Sequence, residues 1–298
     1  MIRTLSDEMQ EKFGGKVYKL ALDGGFTCPN RDGTCGTGGC IFCLGGSGSF
    51  AERKTDDVWE QIERAKALVE KKNPSGRYIA YFQSYTATYA PFEKLEALFS
   101  RAVSHPDIVG LSVATRPDCL PDEVIALLWR LNEQKPVWVE LGLQTTDEKT
   151  AAYIRRGYPL SVYDDAVRRL KAAGLTVIVH LILGLPGESI ETMAQSARYV
   201  GESGASGVKL QLLHVLRGTD LEKDYAAGLF ETLSLSEYIE ALEECIRYLP
   251  PSVTIHRLTG DGDKKYLVAP LWSAGKKRVL GAIQKAFERD HLVQGEKL

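Results

Sequence analysis

The sequence predicts an α/β fold built on a parallel sheet, and three observations carry that prediction. Six β-type apolar runs alternate with segments of helical periodicity, each run ends in a polar stretch, and no fixed repeat or Pro/Ser-rich linker interrupts the series. The first run, KVYKLAL (16–22), follows an opening helix-like segment. The amphipathic stretch DDVWEQIERAKALVEKK leads to RYIAYFQ (77–83), and FEKLEALFSRAV leads to IVGLSVAT (108–115). PDEVIALLWRLNEQ precedes VWVELGLQ (137–144), YDDAVRRLKAAG precedes TVIVHLILGLP (176–186), and IETMAQSARYVGESG precedes GVKLQLLHVL (207–216).

Repeated βα units imply parallel strands with right-handed crossovers, hence a doubly wound sheet or a barrel. In both architectures function collects at the C-terminal ends of the strands. Those ends read GGFTCPN, FQSYTATY, ATRPD, LQTTDE, LGLPGES and HVLRGTD, rich in Gly, Thr, Gln, Arg and Asp. Past residue 216 the pattern loosens. SLSEYIEALEECIRYLP reads as a helix from a Ser cap, SVTIHRL as a possible further strand, and AGKKRVLGAIQKAFERDH as a C-terminal helix. One domain over 1–298 is expected, with a core of about 16–220 and a C-terminal extension of about 221–298.

Lys and Arg number 37 against 39 Asp and Glu, so the chain has no bulk attraction for nucleic acid or membrane, and a polyanionic partner must meet a local patch. No apolar stretch approaches the roughly 20 residues of a spanning helix, and MIRTLSDEMQEKFGG lacks the apolar core of a signal peptide. A soluble, cytoplasmic protein without a membrane partner is expected. Four of the six cysteines fall within sixteen positions, which in a reducing compartment points to metal or catalysis and away from disulfides.

That cluster reads CPNRDGTCGTGGCIFC, placing Cys28, Cys35, Cys40 and Cys43 in a C-x6-C-x4-C-x2-C spacing. Thiolates two residues apart reach one metal centre, and the glycines at 33, 36, 38 and 39 let the backbone curl around it. Zinc competes, since four thiolates fill a tetrahedral site. The loop lacks paired C-x2-C knuckles, however, and follows the first strand directly, an active-site position that favours an iron-sulfur cluster.

The stretch KLALDGGFTCPNRDGTCGTGGCIFC, with YFQSYTATYAP, TRPDCL, ELGLQT, IRRGY, LILGLPGE and LLHVLRGTDL, resembles the radical SAM proteins of the YtqA (MnmL)/YhcC type over roughly residues 1 to 290. HVLRGT resembles the last strand end of the Elongator catalytic subunit. The resemblance implies a partial (βα)6 TIM-like barrel with C-terminal helical and strand additions. It also implies a [4Fe-4S] cluster on Cys28, Cys40 and Cys43, an iron left open for S-adenosylmethionine (SAM), and cleavage of SAM to a 5′-deoxyadenosyl radical. Cys35 departs from the family pattern.

The same resemblance puts Gln83 and Ser84 at the methionyl amino group and Arg156 of IRRGY at the methionyl carboxylate, for which a guanidinium fork is suited. Gly184 and Leu185 of GLPGE would approach the adenine, although a bare tight turn explains that motif as well. Glu140 and Gln144 are four apart on one strand and face one side. A carboxylate inside a barrel needs partners, so Glu140 is a candidate for ribose or amino-group contact, and Gln144 joins the cofactor set. His180 reads as a hydrogen-bonded core residue. Lys209 and His214 differ by five and on one regular strand face opposite sides, which makes Lys209 the better substrate candidate, alongside Arg116 at the TRPD strand end.

Relatives of this type are associated with converting the carboxymethylaminomethyl group on C5 of tRNA wobble uridine into aminomethyl, with Arg116 or Lys209 holding the carboxylate. A tRNA substrate and a flavodoxin or ferredoxin as reductant are the implied partners. The basic groups Arg168-Arg169-Lys171, Lys264-Lys265 and Lys276-Lys277-Arg278 are candidates for phosphate contact, though each also fits a solvated surface. Two other classes stay open: a radical SAM enzyme on a small metabolite or porphyrinogen-like substrate, and a non-catalytic zinc or cluster protein that senses or binds RNA.

Overall fold

Seven parallel strands and the helices that connect them wrap around a cavity in the structure, a computed structural model that describes residues 2–45, 57–73, 75–260 and 262–298. The strands are β1 (Tyr18–Leu22), β2 (Tyr78–Phe82), β3 (Ile108–Thr115), β4 (Val137–Gln144), β5 (Thr176–Leu183), β6 (Gly207–Leu212), β7 (Val215–Leu216), β8 (Thr254–Arg257) and β9 (Leu267–Ala269). The helices are α1 (Leu5–Phe13), α2 (Val58–Val69), α3 (Phe92–Val103), α4 (Asp122–Asn132), α5 (Glu148–Tyr153), α6 (Leu160–Ala172), α7 (Ile190–Glu202), α8 (Asp220–Ala226), α9 (Leu235–Arg247) and α10 (Lys276–Arg289). Asp56, the first residue of the second helical stretch in the sequence, lies outside the described residues.

All six expected strands form, in the order β1-β2-β3-β4-β5-β6, and every pairing is parallel. SVTIHRL supplies a seventh strand, β8, which pairs in parallel with β6, so the C-terminal extension completes the sheet. The last expected run breaks in two. After Leu212 the chain turns, Leu213 N–H bonds Leu183 O, and Val215–Leu216 pairs antiparallel with Leu267–Ala269. The face-parity argument for Lys209 and His214 therefore fails across the break, and both residues line the same cavity.

The convex face carries the main apolar core. Leu20 and Leu22, Ala80 and Phe82, Val139 and Leu141, Val179 and Leu181, and Val208 and Leu210 alternate onto it and meet the apolar stripes of the surrounding helices. The concave face is different. At its lower end Ile79, Trp138 and Ile178 from three strands converge on Met9, Leu5 and Phe13 of α1, which plugs the barrel. Helix α1 is held by a capping box between Thr4 and Asp7, and a parallel bridge from Thr4 to Ile255 ties its start to β8.

Trp138 is buried in this plug, tilts against Phe13 at 6.4 Å and donates its indole N–H to Glu8 at 2.9 Å. Trp138→Ala removes the largest side chain under the cavity and leaves Glu8 without that donor. A loss of about 3–5 kcal/mol is expected in urea unfolding, as for other large-to-small core changes.

Candidate functional site

The cysteine loop leaves β1 and is folded by its own backbone. Cys28 O accepts the amides of Arg31 and Asp32, Pro29 O that of Cys35, Asn30 O that of Gly39, and Cys40 O that of Cys43. Gly39 sits at φ 82°, a left-handed conformation that a side chain resists, and a Cβ at Gly36 would lie 2.4 Å from Asn30 Oδ1.

Two consecutive carbonyls of the IRRGY turn then hold the loop in place, and the next one holds the end of β3. Ile154 O accepts the Ile41 amide at 3.2 Å, Arg155 O accepts Asn30 Nδ2 at 2.5 Å, and Arg156 O accepts Arg116 Nη1 at 2.8 Å. Asn30 Nδ2 also reaches Cys40 Sγ at 3.6 Å. Ile41 packs with Ile154, Ile182, Leu185 and Leu213 behind it.

Cys28, Cys40 and Cys43 all line one cavity of about 600 Å³ on the concave side of the sheet. Cys35 is exposed and lines a separate groove on the outer face of the loop, together with Cys119 and Tyr89. Burial, and next Cys43, push the Cys40 thiol up to about 11.

Lower in the cavity, Glu140 is fully buried and accepts five bonds. Oε1 takes Lys19 Nζ and Ser112 Oγ, each at 2.6 Å. Oε2 takes Tyr81 Oη at 3.0 Å, His180 Nε2 at 2.7 Å and Lys209 Nζ. In a flat sheet β1 would stand about 14 Å from β4, so a hydrogen bond from Lys19 to Glu140 requires the strands to curl into a barrel wall.

Burial pushes the Glu140 carboxyl up, but Lys19, Lys209 and His180 outweigh it and hold it well below the carboxylate range. Burial, with Lys19 and Arg257 acting in the same direction, lowers the Lys209 ammonium to about 7 against the pull of Glu140. Burial and then Lys209 lower His180 to about 4, so its imidazole is neutral near pH 7, and burial raises the Tyr81 phenol well above its ordinary value.

The other residues singled out in the sequence divide by position. Gln83, Gln144, Arg116 and Arg156 line the cavity beside Lys209 and Glu140. Gln144 has φ 71° where β4 and β5 slip register, and its Oε1 is buried without a partner among the described residues. Ser84 Oγ, between cavity-lining Gln83 and Tyr85, is buried and unpartnered in the same way.

Arg156 fills its fork with Tyr158 O, Thr145 O and the Glu148 carboxylate, and the expected contact with a methionyl carboxylate would require these bonds to be exchanged. Arg116 is held by Asp118 through two nitrogens, at 2.9 and 2.6 Å, in addition to Arg156 O. Gly184 and Leu185 lie behind the cavity wall: Gly184 N–H meets Met193 Sδ at 3.1 Å, and Leu185 belongs to the apolar support of Ile41. Glu188 of the same motif accepts from Thr145 Oγ1 at 2.5 Å, and burial raises its carboxyl to about 7. His180 is the hydrogen-bonded interior residue that the sequence implied.

Lys19, Tyr81, Asn30 and Arg257 are site residues that the sequence reasoning passed over. The available signal was parity: Lys19, Tyr81, Ser112 and Glu140 stand mid-strand in a sheet buried on both faces, where a polar side chain needs a reason.

Residues 31–200 match the family described as Radical SAM superfamily, and 205–289 match the Radical_SAM C-terminal domain. The uncharacterized protein YtqA of Bacillus subtilis is 45% identical over 294 residues, 98% of this chain and 91% of that protein. Protein YhcC of Escherichia coli is 39% identical over 300 residues, 100% of this chain and 96% of its own. A more distant relative, the tRNA uridine(34) acetyltransferase of Methanocaldococcus jannaschii, is 23% identical over 286 residues, 82% of this chain and 52% of that one. Among solved structures, the archaeal Methanocaldococcus infernus Elp3 superposes with TM-score 0.71 at 20% identity, covering 93% of this chain and 64% of that chain, a likeness of fold.

Glu140→Ala would strand the Lys19 and Lys209 ammoniums beside each other in the interior. A loss of about 3–5 kcal/mol in chemical denaturation is expected, the cost of removing one partner of a buried ion pair. Unchanged stability would mean that water enters the floor freely.

Proposed function

Because the chain belongs to the radical SAM superfamily, we propose that it is an enzyme acting on the C5 side chain of tRNA wobble uridine, with Cys28, Cys40 and Cys43 as the ligands of its [4Fe-4S] cluster. The observation that carries the proposal is that these three thiols open on one cavity whose floor bears Lys19, Lys209 and Arg257, while Cys35 does not. Superfamily membership implies SAM and the cluster. The residues present suit both. The donors are all thiols, the usual ligands of iron-sulfur clusters, and Gln144 Oε1 is a buried acceptor in the cavity wall with no partner among the described residues. When bound, the cluster supplies the electron for reductive cleavage of SAM.

The chain's own residues orient the substrate. The proposed reaction is an oxidative hydrolysis in which carboxymethylaminomethyl and water would give aminomethyl and a two-carbon oxo-acid, with SAM as the two-electron acceptor, so the substrate carries a carboxylate that the modified uridine lacks. Lys209 is the proposed substrate contact on the floor, and Arg116, braced by Asp118, ties the end of β3 to the IRRGY turn. Support for tRNA uridine as the substrate class comes from the distant relative whose name specifies it. Lys264 and Lys265 follow directly on Gly262 and Asp263, which line the cavity, and suit phosphate contact there. Arg168 and Arg169 are instead paired with Asp165 and Asp122.

Two experiments test the proposal. In anaerobically reconstituted protein, Cys28→Ala, Cys40→Ala and Cys43→Ala are each expected to lose the cluster absorbance and bound iron, whereas Cys35→Ala keeps both; equal loss in all four would overturn the ligand set. In tRNA from a deletion strain, nucleoside analysis is expected to show carboxymethylaminomethyl uridine accumulating at the expense of aminomethyl uridine. An unchanged profile would redirect the enzyme to a small-molecule substrate.

A further inference from the structure

We infer that the rim of the cavity is an entry surface for a single-stranded segment of RNA, with Tyr85 as a stacking platform for the base next to the one inside and Arg217, Lys264 and Lys265 as phosphate contacts; this rests on the reading of the substrate as an RNA.

The rim can be followed from residue to residue. Tyr85, past the end of β2, stands with its Oη 3.6 Å from where a Cβ on Gly45 would lie. Leu44 precedes Gly45, and its Cδ1 lies 3.4 Å from the Cβ position of Gly218. Arg217 precedes Gly218 and donates its amide to Tyr266 O at 2.7 Å, one residue from Lys265 and two from Lys264. Tyr85, Leu44, Leu216 and Asp263, which belong to or flank this arc, all line the cavity. The arc is aromatic at one end and cationic at the other.

The aromatic end is turned outward against the preference of its backbone. Ser84, Thr86 and Ala87 are buried, whereas Tyr85 among them keeps 39% of its surface exposed. Its φ of 58° is a left-handed conformation that bulky residues avoid, and the next amide, Thr86 N–H, is pinned on Thr27 O at 3.2 Å. Leu44 adds a side chain that is 37% exposed.

The cationic end is exposed, and Arg217, Lys264 and Lys265 have no ion-pair partner among the described residues. Lys265 Nζ lies 5.3 Å from the centroid of the Tyr266 ring. Other exposed arginines are paired: Arg155 with Asp220, Arg168 with Asp165 and Arg198 with Glu202. The carboxylates of Asp263 and Glu222 accept backbone amides instead, from Lys265 at 3.0 Å and from Gly218 at 2.7 Å.

Aromatic surface and cations on one rim suit a single strand. A base reaches chemistry inside a barrel only when it leaves its stack, so the base that stays behind loses a neighbour and presents a bare π-face at the mouth. A partly exposed tyrosine ring replaces that neighbour, while cations track the backbone. An acidic protein would use the cations and leave Tyr85 without a role.

The test is fluorescence-anisotropy binding to the reconstituted full chain, at equal bound iron in every variant and over a range of salt. The probes are an unmodified anticodon stem-loop RNA with uridine at the wobble position, a blunt duplex RNA of the same length, and poly-glutamate. The stem-loop is expected to bind at least tenfold more tightly than the duplex. Tyr85→Asn, which suits a left-handed backbone, should weaken the stem-loop about tenfold without changing the salt slope, and Tyr85→Phe should keep the wild-type affinity. Arg217→Gln, Lys264→Gln and Lys265→Gln combined should flatten the plot of log K against log salt by about two, at roughly 0.7 per phosphate contact. Arg198→Gln, an exposed cation of α7 outside the cavity lining, should change neither.

Tyr85→Asn no weaker than Arg198→Gln, Tyr85→Phe as weak as Tyr85→Asn, or a salt slope unmoved by the combined cation variant would each overturn the assignment. Equal affinity for stem-loop, duplex and poly-glutamate, or no binding of the stem-loop, would do the same. Stem-loop binding that depends on Tyr85 and the cations, with an unchanged nucleoside profile in the deletion strain, would keep the entry surface and remove the wobble-uridine reading. The reverse pair of results would remove the entry surface alone.

Discussion

A single buried carboxylate organises the concave face of this protein. Glu140 accepts from β1, β2, β3, β5 and β6 at once, and no flat sheet brings donors from five strands to one side chain. Such a group is not there for stability alone. Taking a carboxylate and two ammoniums out of water costs several kcal/mol per ion, and well-packed apolar residues would match or exceed the stability recovered by pairing them. What the cluster does provide is specification. Any slip of strand register by one residue would turn a donor to the convex face and leave Glu140 short of a partner, so the cluster penalises the wrong registers.

The layers above and below follow from that constraint. Beneath the charges, Ile79, Trp138 and Ile178 form an apolar cluster that packs on α1. Above them the strands end in residues under backbone strain. Tyr85 and Gln144 adopt positive φ at the ends of β2 and β4, and Arg155 does so in the turn that holds the cysteine loop. Such conformations persist where the surroundings over-determine them. Here that rigidity comes from Asn30 and Arg116, which claim the carbonyls of Arg155 and Arg156, and from Ile41 packed against Ile154 and Leu185. Arg156, expected to face a ligand, turns its guanidinium into the scaffold, and the chain uses its backbone oxygen as a fixed point.

How much of this was legible depends on which physical signal each residue left. The βα alternation is a periodic signal spread over many residues, and it located all six strands, the first four within two residues at both ends, while the runs for β5 and β6 overshoot by three and four residues. The thiol loop was legible because cysteine, glycine and spacing combine in one segment. Glu140 was legible as a carboxylate needing partners, but not its partners, since Lys19 lies 121 positions away and only curvature joins them. The break after Leu212 left only a slight signal: in GVKLQLLHVL the polar positions fall at Lys209 and Gln211 and then change parity to His214, while the turn itself goes with a bond from Leu213 N–H to Leu183 O on a neighbouring strand. Local pattern therefore gave the elements, while the pairings that make the site are long-range and invisible to it.

The order of layers also bears on why charge and thiols share one cavity. The ammoniums of Lys19 and Lys209 lower the cost of losing a proton nearby and favour negative charge, whether on thiolates or on a ligand. Cys40 illustrates the balance, because burial and Cys43 oppose its ionisation while Arg116 favours it. A cationic centre bound to the thiols would tip that balance toward thiolate and would, in turn, be held opposite a cationic floor. Gln144 near the strand ends keeps a buried acceptor without a partner among the described residues, so a donor that reached the cavity wall there would meet an unsatisfied oxygen.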